Sequence, residues 1–484
     1  MQLGITRRAM VKAVARVIVG SGCVPLLFDH DASAEAMSTG INIKISPPGP
    51  KSLVLLEDLK KCIAKSNYCG LFGIGLNKGQ GCYVEDLDGN VYLDCFTSAS
   101  STILGYSYDE VAEAHYKAAL KLQHTGFPYS PNVETVRFSE KLIRITPGDF
   151  SKKVIIGLSG SDSMEGAIEA ARKFTGKMGI ISFNRAYHGS TGLAQAASGF
   201  NALNEGIYDL NDPNFVKVDF PATCADAERS LKNIETVLAF GKTAAMLVEI
   251  IQGDGGTIVA TPFFFARLRE LLDRYHVLLI DDEIQTGMGR TGKWWAADHE
   301  SVVPDIIVIG KGLASGYAPV SAIIGRTEIL NSLVPATQVF TLTGHPPTVS
   351  AALRVIDIIE RDHLVENARE IGAYLFEGLK KVERKYPDVI VEARGKGFMI
   401  GLEIKISKDP LAGKIFAYRC VEKGVYFGYI GDKHRVIRVL PPITAGQKEA
   451  EIIIHTVNET ADEMSKGKIP QSTVDKVNRY AIGW

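Results

Sequence analysis

From Lys153 to Arg326 the chain repeats one pattern: a short unbroken apolar run, a polar turn, then a stretch with helical apolar spacing. The runs are "KVIIGL", "GIISF", "AMLVEI", "VLLIDDE", "DIIVIGK" and "SAIIGR". Between them lie "SGSDS", read as a loop, then the helix "MEGAIEAARKF", where Met164, Ala167, Ile168, Ala171 and Phe174 recur three or four residues apart, and "TPFFFARLRELLDRYH". Strands that are apolar on both faces need cover on both faces. The pattern therefore predicts an α/β domain, a mostly parallel sheet covered by helices. In such sheets ligands sit beyond the carboxyl ends of the strands. Those ends carry Ser159–Ser161, Tyr187 and His188, Asp281–Glu283 and Lys311.

The flanks read differently. "GCYVEDLDGNVYLDCF" (81–96) predicts a hairpin around Asp88-Gly89-Asn90, since Asp-Gly favours a tight turn. A helix is expected from Ser107 to His124. After His345 come a long helix broken once, the strands of "VIVEARGKGFMIGLEI", a helix near Ala412–Lys423, "RVIRVLPPIT" and a last helix. With 484 residues the chain exceeds one simple core. The expected division is an extension at 1–36, a first segment of a small α+β domain at 37–95, a large domain at 96–345 and the rest of the small domain at 346–484.

Composition narrows the partners. With 54 basic and 55 acidic residues the formal charge is -1, which speaks against nucleic acid and against an anionic membrane. A small molecule or a second copy of the chain is expected. The 7 cysteines are odd in number and lack metal-ligand spacing, and the 10 histidines form no HExxH, so no metal is expected. Reduced thiols point to the cytoplasm. Against that, Arg7-Arg8, the apolar stretch after them and "ASAEA" resemble a twin-arginine export signal; the other reading is an extension ahead of Met37.

Three glycine motifs fall away on context. "GMGRTG" (287–292) matches GxGxxG, but no amphipathic helix opens at its third glycine. "FGKT" lacks the first glycine of a P-loop, and Gly73-Ile-Gly75 lacks a third at the right spacing. The strand ends taken together are more telling. "GLSGSDS" offers small residues and a helix start to an anion. "VLLIDDE" delivers carboxylates, "RAYHGST" a flat aromatic, and "IGKG" a lysine between glycines. Each alone has an ordinary explanation: a helix cap, a solvated edge, a core aromatic, a strand end. Together they suit pyridoxal 5'-phosphate (PLP), which needs a phosphate cradle, an acid for the pyridine nitrogen and an amine for its aldehyde.

These stretches resemble class III aminotransferases over about Gly81–Pro442. "GLSGSDSMEGAIEAAR" resembles their phosphate loop, "VEIIQGDGG" and "LLIDDEIQTGMGRTG" two further signatures, "GKGLASGYAPVSAIIG" their lysine segment and "IRVLPPIT" their carboxylate-binding segment. The resemblance implies a fold-type I PLP enzyme: a large domain around a seven-stranded, mostly parallel sheet, plus a smaller α+β domain. It implies Lys311 as the cofactor lysine, Asp282 at the pyridine nitrogen, Gly160 and Ser161 at the phosphate, Tyr187 stacked on the ring and Gln285 at its 3-hydroxyl. Arg438 would clamp a substrate carboxylate. Thr341 would reach the neighbouring subunit's phosphate, which implies a homodimer or dimer of dimers with shared sites. Where the family commonly has Gly-Gly-Asn-Pro, this chain has Thr343-Gly344-His345-Pro346.

Where transaminases of the class usually read Gln-Gly-Glu, this chain reads Gln252-Gly253-Asp254. In that respect, and in ending "AIGW", it is similar to the amino-acid racemase branch, which includes isoleucine 2-epimerase and aminocaprolactam racemase. The expected function is a racemase or epimerase of a neutral amino acid, with Lys311 and Asp254 as the two proton-transfer groups; the alternative is an aminotransferase. "FTSASST" (96–102) and "GFPYSP" (126–131) are expected near the substrate.

Overall fold

The computed structural model describes residues 40–199, 212–406 and 409–480. Its centre is a seven-stranded sheet made of β1 (Lys152–Gly157), β2 (Gly179–Phe183), β3 (Phe215–Val218), β4 (Thr243–Val248), β5 (Leu278–Asp282), β6 (Ile306–Ile309) and β7 (Ser321–Arg326). The order across the sheet is β1-β7-β6-β5-β4-β2-β3. All neighbours run parallel except β7, which is antiparallel to both β6 and β1. β4 and β6 are buried at every position, as their unbroken apolar runs require.

One apolar layer packs Met164, Ala167, Ile168 and Ala171 of helix α1 (Gly160–Thr175) against Ile180, Leu247, Ile280 and Val308. The other packs Phe264, Phe265, Leu268 and Leu272 of helix α2 (Phe264–Arg274) against Ile181, Met246 and Leu279. Alternate residues of β2, β4 and β5 thus serve opposite layers. The helices are amphipathic on the side that meets the sheet, so burial of these stripes holds the three layers together.

The expected hairpin forms between Tyr83–Asp86 and Val91–Asp94, with Gly89 at φ 85° and its N–H donating to Asp86 O at 3.1 Å. Val91–Asp94 also pairs in parallel with Val425–Tyr426, so early and late segments share one four-stranded sheet. A second sheet joins Ile390–Lys396, Met399–Ile404, Val436–Val439 and Gly428–Ile430. The long helix breaks once, into Pro346–Arg361 and Leu364–Lys385, at His363 with φ 50°. Two helices close the chain, Gln447–Ser465 and Gln471–Tyr480, where a single one was expected.

One local expectation is corrected. "SGSDS" is not a loop: Ser159 caps α1, and residues 160–163 are its first turn. Ser159 Oγ accepts from Asp162 N, and the Asp162 carboxylate accepts from Ser159 N, a capping box at three-residue spacing. No helix among the described residues is long and apolar enough to cross a membrane. The 1–36 extension lies outside the described residues.

Candidate active site

β6 ends at Ile309, and Lys311 opens a short 3-10 turn with φ 37°. A residue with a side chain rarely adopts this left-handed conformation, which costs roughly 1–2 kcal/mol and persists where the surroundings enforce it. The two flanking glycines differ. A Cβ at Gly312 would press on Ile103 at 3.1 Å, so packing keeps that position small. A Cβ at Gly310 would meet Ile284 at an ordinary 3.5 Å. Room beside the lysine is therefore a matter of protein packing at Gly312 only.

The lysine opens onto a cavity of about 160 Å³ beyond the carboxyl ends of the strands. The start of α1 contributes Gly160 and Ser161, and the segment after β2 contributes Tyr187, His188 and Gly189. Glu249 and Asp254 follow β4; Asp282, Ile284 and Gln285 come from the end of β5 and just beyond it. Seven of the nine expected site residues thus line one cavity: Gly160, Ser161, Tyr187, Asp254, Asp282, Gln285 and Lys311. Arg438 joins from Val436–Val439 by an ion pair to Asp254. Thr341 lies exposed, away from the cavity wall. The 96–102 and 126–131 stretches do not line it either, although Ser100 Oγ donates to Gln285 O at 3.2 Å.

The electrostatics follow from burial. Asp282 is 4% exposed, and its Oδ2 meets His188 Nδ1 at 2.8 Å. The Lys311 side chain makes no hydrogen bond or ion pair among the described residues. Burial lowers its pKa; Asp254 opposes that and Arg438 reinforces it. For Asp254, burial is the largest single influence and favours the neutral form, but Arg438 and Lys311 together outweigh it and the net shift is downward. Asp254 is therefore a carboxylate wedged between two cations, with 27% of its side chain open to the cavity.

This donor set fits PLP. The first N–H groups of a helix have no partner within it and carry positive potential, which suits a phosphate at Gly160 and Ser161. Buried His188 Nε2 and Gln285 Oε1 and the Arg438 Nε have no hydrogen-bond partner among the described residues. Groups left unpaired in a dry site are expensive unless a ligand satisfies them.

A class III aminotransferase family model matches residues 65–460. The chain belongs to the class III aminotransferase family. Within it, the chain is 33% identical to an alanine/serine racemase of Pyrococcus horikoshii, over 89% of this chain and 95% of the relative. It is 32% identical to ornithine aminotransferase 1 of Staphylococcus aureus, over 82% and 96%. A solved ornithine aminotransferase of Toxoplasma gondii, described with PLP at its active site, superimposes with a TM-score of 0.77 at 27% identity, over 90% of this chain and 99% of that one. Like its class III relatives, the protein is a fold-type I enzyme that uses PLP.

Two site residues escaped the sequence reading. Glu249 stands inside "VEIIQGDGG", yet linear spacing says nothing of its buried position on the cavity wall. Arg290, the arginine of the dismissed "GMGRTG", is fully buried; its Nε donates to Ser100 Oγ at 2.9 Å and its Nη1 to Pro441 O. It braces the segment beside Gln285, and burial lowers its pKa to about 9.

Proposed function

We propose that this class III enzyme is a racemase or epimerase of a neutral amino acid, with Lys311 and Asp254 as its two proton-transfer groups. What supports the reading most is the presence of both groups on the wall of one cavity. When bound, PLP draws electron density from the substrate Cα and makes its proton removable. Lys311, with its pKa lowered, would hold the cofactor aldehyde and would serve as a base toward the substrate Cα proton. Asp254 is ionised and can accept a proton or return one. Asp282, held by His188, would keep the pyridine nitrogen charged; Gly160 and Ser161 would hold the phosphate, Tyr187 the ring and Gln285 its hydroxyl.

Arg438 gives this arrangement a sense of timing. A substrate carboxylate that takes over the guanidinium weakens its hold on Asp254. Asp254 then loses one of the two cations that keep its pKa down, and its proton affinity rises as substrate arrives. The same reading makes the enzyme a homodimer or dimer of dimers, with the exposed Thr341 serving a neighbouring subunit's phosphate.

The Asp254–Arg438 ion pair also favours a second reading, an aminotransferase in which Asp254 serves only to hold the arginine. Deuterated water separates the two. A single amino-acid enantiomer, incubated without a keto acid, is expected to yield its mirror form with deuterium at Cα. Asp254→Asn is expected to cut racemisation in both directions by roughly 10²–10⁴ while the cofactor's visible band persists. Turnover only with a keto acid replaces this reading with the aminotransferase; normal racemisation by Asp254→Asn removes Asp254 from the proton transfer.

A further inference from the structure

Glu249 follows β4 and is 6% exposed, yet no step above uses it. Its two carboxylate oxygens face different segments. Oε1 accepts from Tyr187 N at 3.0 Å, and Oε2 accepts from Gly253 N at 2.8 Å. The first segment follows β2 and carries the cavity's aromatic ring. The second is the turn that places Asp254. Farther out, Gln252 Nε2 donates to Asn184 O at 2.8 Å and ties the same two segments. A Cβ at Gly253 would come within 2.1 Å of Gln285 Oε1, so a side chain there would displace the Gln285 amide. The turn is therefore pressed against Gln285 on one side and held by Glu249 on the other.

We infer that Glu249 is a positioning residue that fixes the separation of Tyr187 and Asp254 across the cavity, through two backbone N–H groups held by one carboxylate. The inference rests on the proton-transfer role proposed for Asp254. Two carboxylate oxygens hold both amides most strongly; protonation leaves one strong acceptor and one weaker hydroxyl oxygen. Burial raises the Glu249 pKa to about 7, with His188 opposing and Asp282 adding to the rise. The ionisable groups that face it are His188, Asp282, Lys311 and Asp254. Its ordinary pKa would leave it ionised at all working pH, whereas here the clamp loosens as pH falls through neutrality.

The test uses the purified PLP-loaded enzyme and its Glu249→Gln variant, in which one acceptor becomes a donor. The variant is expected to fold, to hold the cofactor on Lys311 and to show an altered visible circular-dichroism band, because Tyr187 has moved. Its kcat should fall about 10–100-fold with KM changed less than threefold, the span set by loss of one hydrogen bond to a charged group. The acid limb near pH 7 in the parent's kcat/KM profile should disappear. Adding Asp254→Asn to Glu249→Gln should cost little beyond Asp254→Asn alone, since both act through one group. Parent-like dichroism, parent-like rates or a fully multiplicative double variant overturns the inference. If Glu249→Gln does not fold, Glu249→Asp, which keeps the charge with shorter reach, is expected to alter the dichroism band and to shift the acid limb rather than abolish it; a parent-like band and an unshifted limb overturn the inference. A parent that turns over only with a keto acid defeats the Asp254 role alone; dichroism and the acid limb then still decide Glu249.

Discussion

His188 Nδ1 and Asp282 Oδ2 lie 2.8 Å apart, and neither residue exposes more than 4% of its surface. The histidine is thus the direct partner of the carboxylate expected to face the cofactor nitrogen. Its own backbone N–H donates to Ser198 Oγ at 2.9 Å, which anchors the pair to the segment after β2. His188→Ala leaves a buried carboxylate oxygen without that partner. The apo protein is expected to lose about 1–3 kcal/mol, read from its urea midpoint. An unchanged midpoint would mean that water replaces the imidazole at no cost.

Arg438 offers a sharper kinetic signature. Its guanidinium is buried and paired with Asp254, and its Nε has no hydrogen-bond partner among the described residues. Arg438→Met is expected to raise KM for the amino acid about 10–100-fold, the equivalent of one charge-assisted hydrogen bond. Arg438→Lys keeps the charge but not the two-pronged geometry and should recover only part of the loss. Steady-state kinetics on the three proteins check this. Equal KM values would move the substrate carboxylate elsewhere.

Glu283 makes a prediction about pH. Burial is the main cause that raises its pKa from 4.5 to about 7, and nearby Asp298 adds to it; donors at Thr286 and Ala297 work against it. Asp281 beside it is pushed up as well, first by burial and then by the Glu283 charge. The folded state therefore keeps a proton that the unfolded chain gives up above pH 4.5. Stability from this site is lost as pH rises from about 4.5 to about 7. Glu283→Gln removes that dependence, so its stability relative to the parent should climb across the window by on the order of 1–3 kcal/mol. Denaturant melts at pH 5 and pH 7.5 measure the difference, and a variant that tracks the parent at both defeats the assignment.

The shared-site expectation is checked at Thr341, which is exposed on this chain. Thr341→Ala is expected to weaken cofactor retention by about 1–3 kcal/mol in equilibrium dialysis, provided the protein is a dimer in light scattering. A monomer with full activity removes the role.

Six of the seven central strands were legible because each carries an unbroken apolar run; Phe215–Val218, interrupted by Lys217, was not, and the long helix was expected to break once without the place, which is His363, being read. The start of α1 was misjudged although Ser159 and Asp162 stand three apart, the spacing of a capping box. Glu249 was not legible, since the Tyr187 amide, 62 residues away, meets it only after the sheet forms. Nor was the left-handed turn at Thr97–Ser100, where four successive residues with side chains take positive φ. "FTSASST" contains no glycine to announce it; bonds from Thr97 to Leu440 O and from Arg290 to Ser100 impose it from outside.

The parallel pairing of Val91–Asp94 with Val425–Tyr426 bears on how the molecule is made. During synthesis the hairpin emerges early, while the strand that completes its sheet emerges near the end. Until then one edge of Val91–Asp94 presents open backbone donors and acceptors to any passing strand, its own kind included. The central sheet lies wholly between these two segments and can close first. A nascent chain stalled before Val425 therefore carries a finished sheet and an unfinished one, and quality control meets the second.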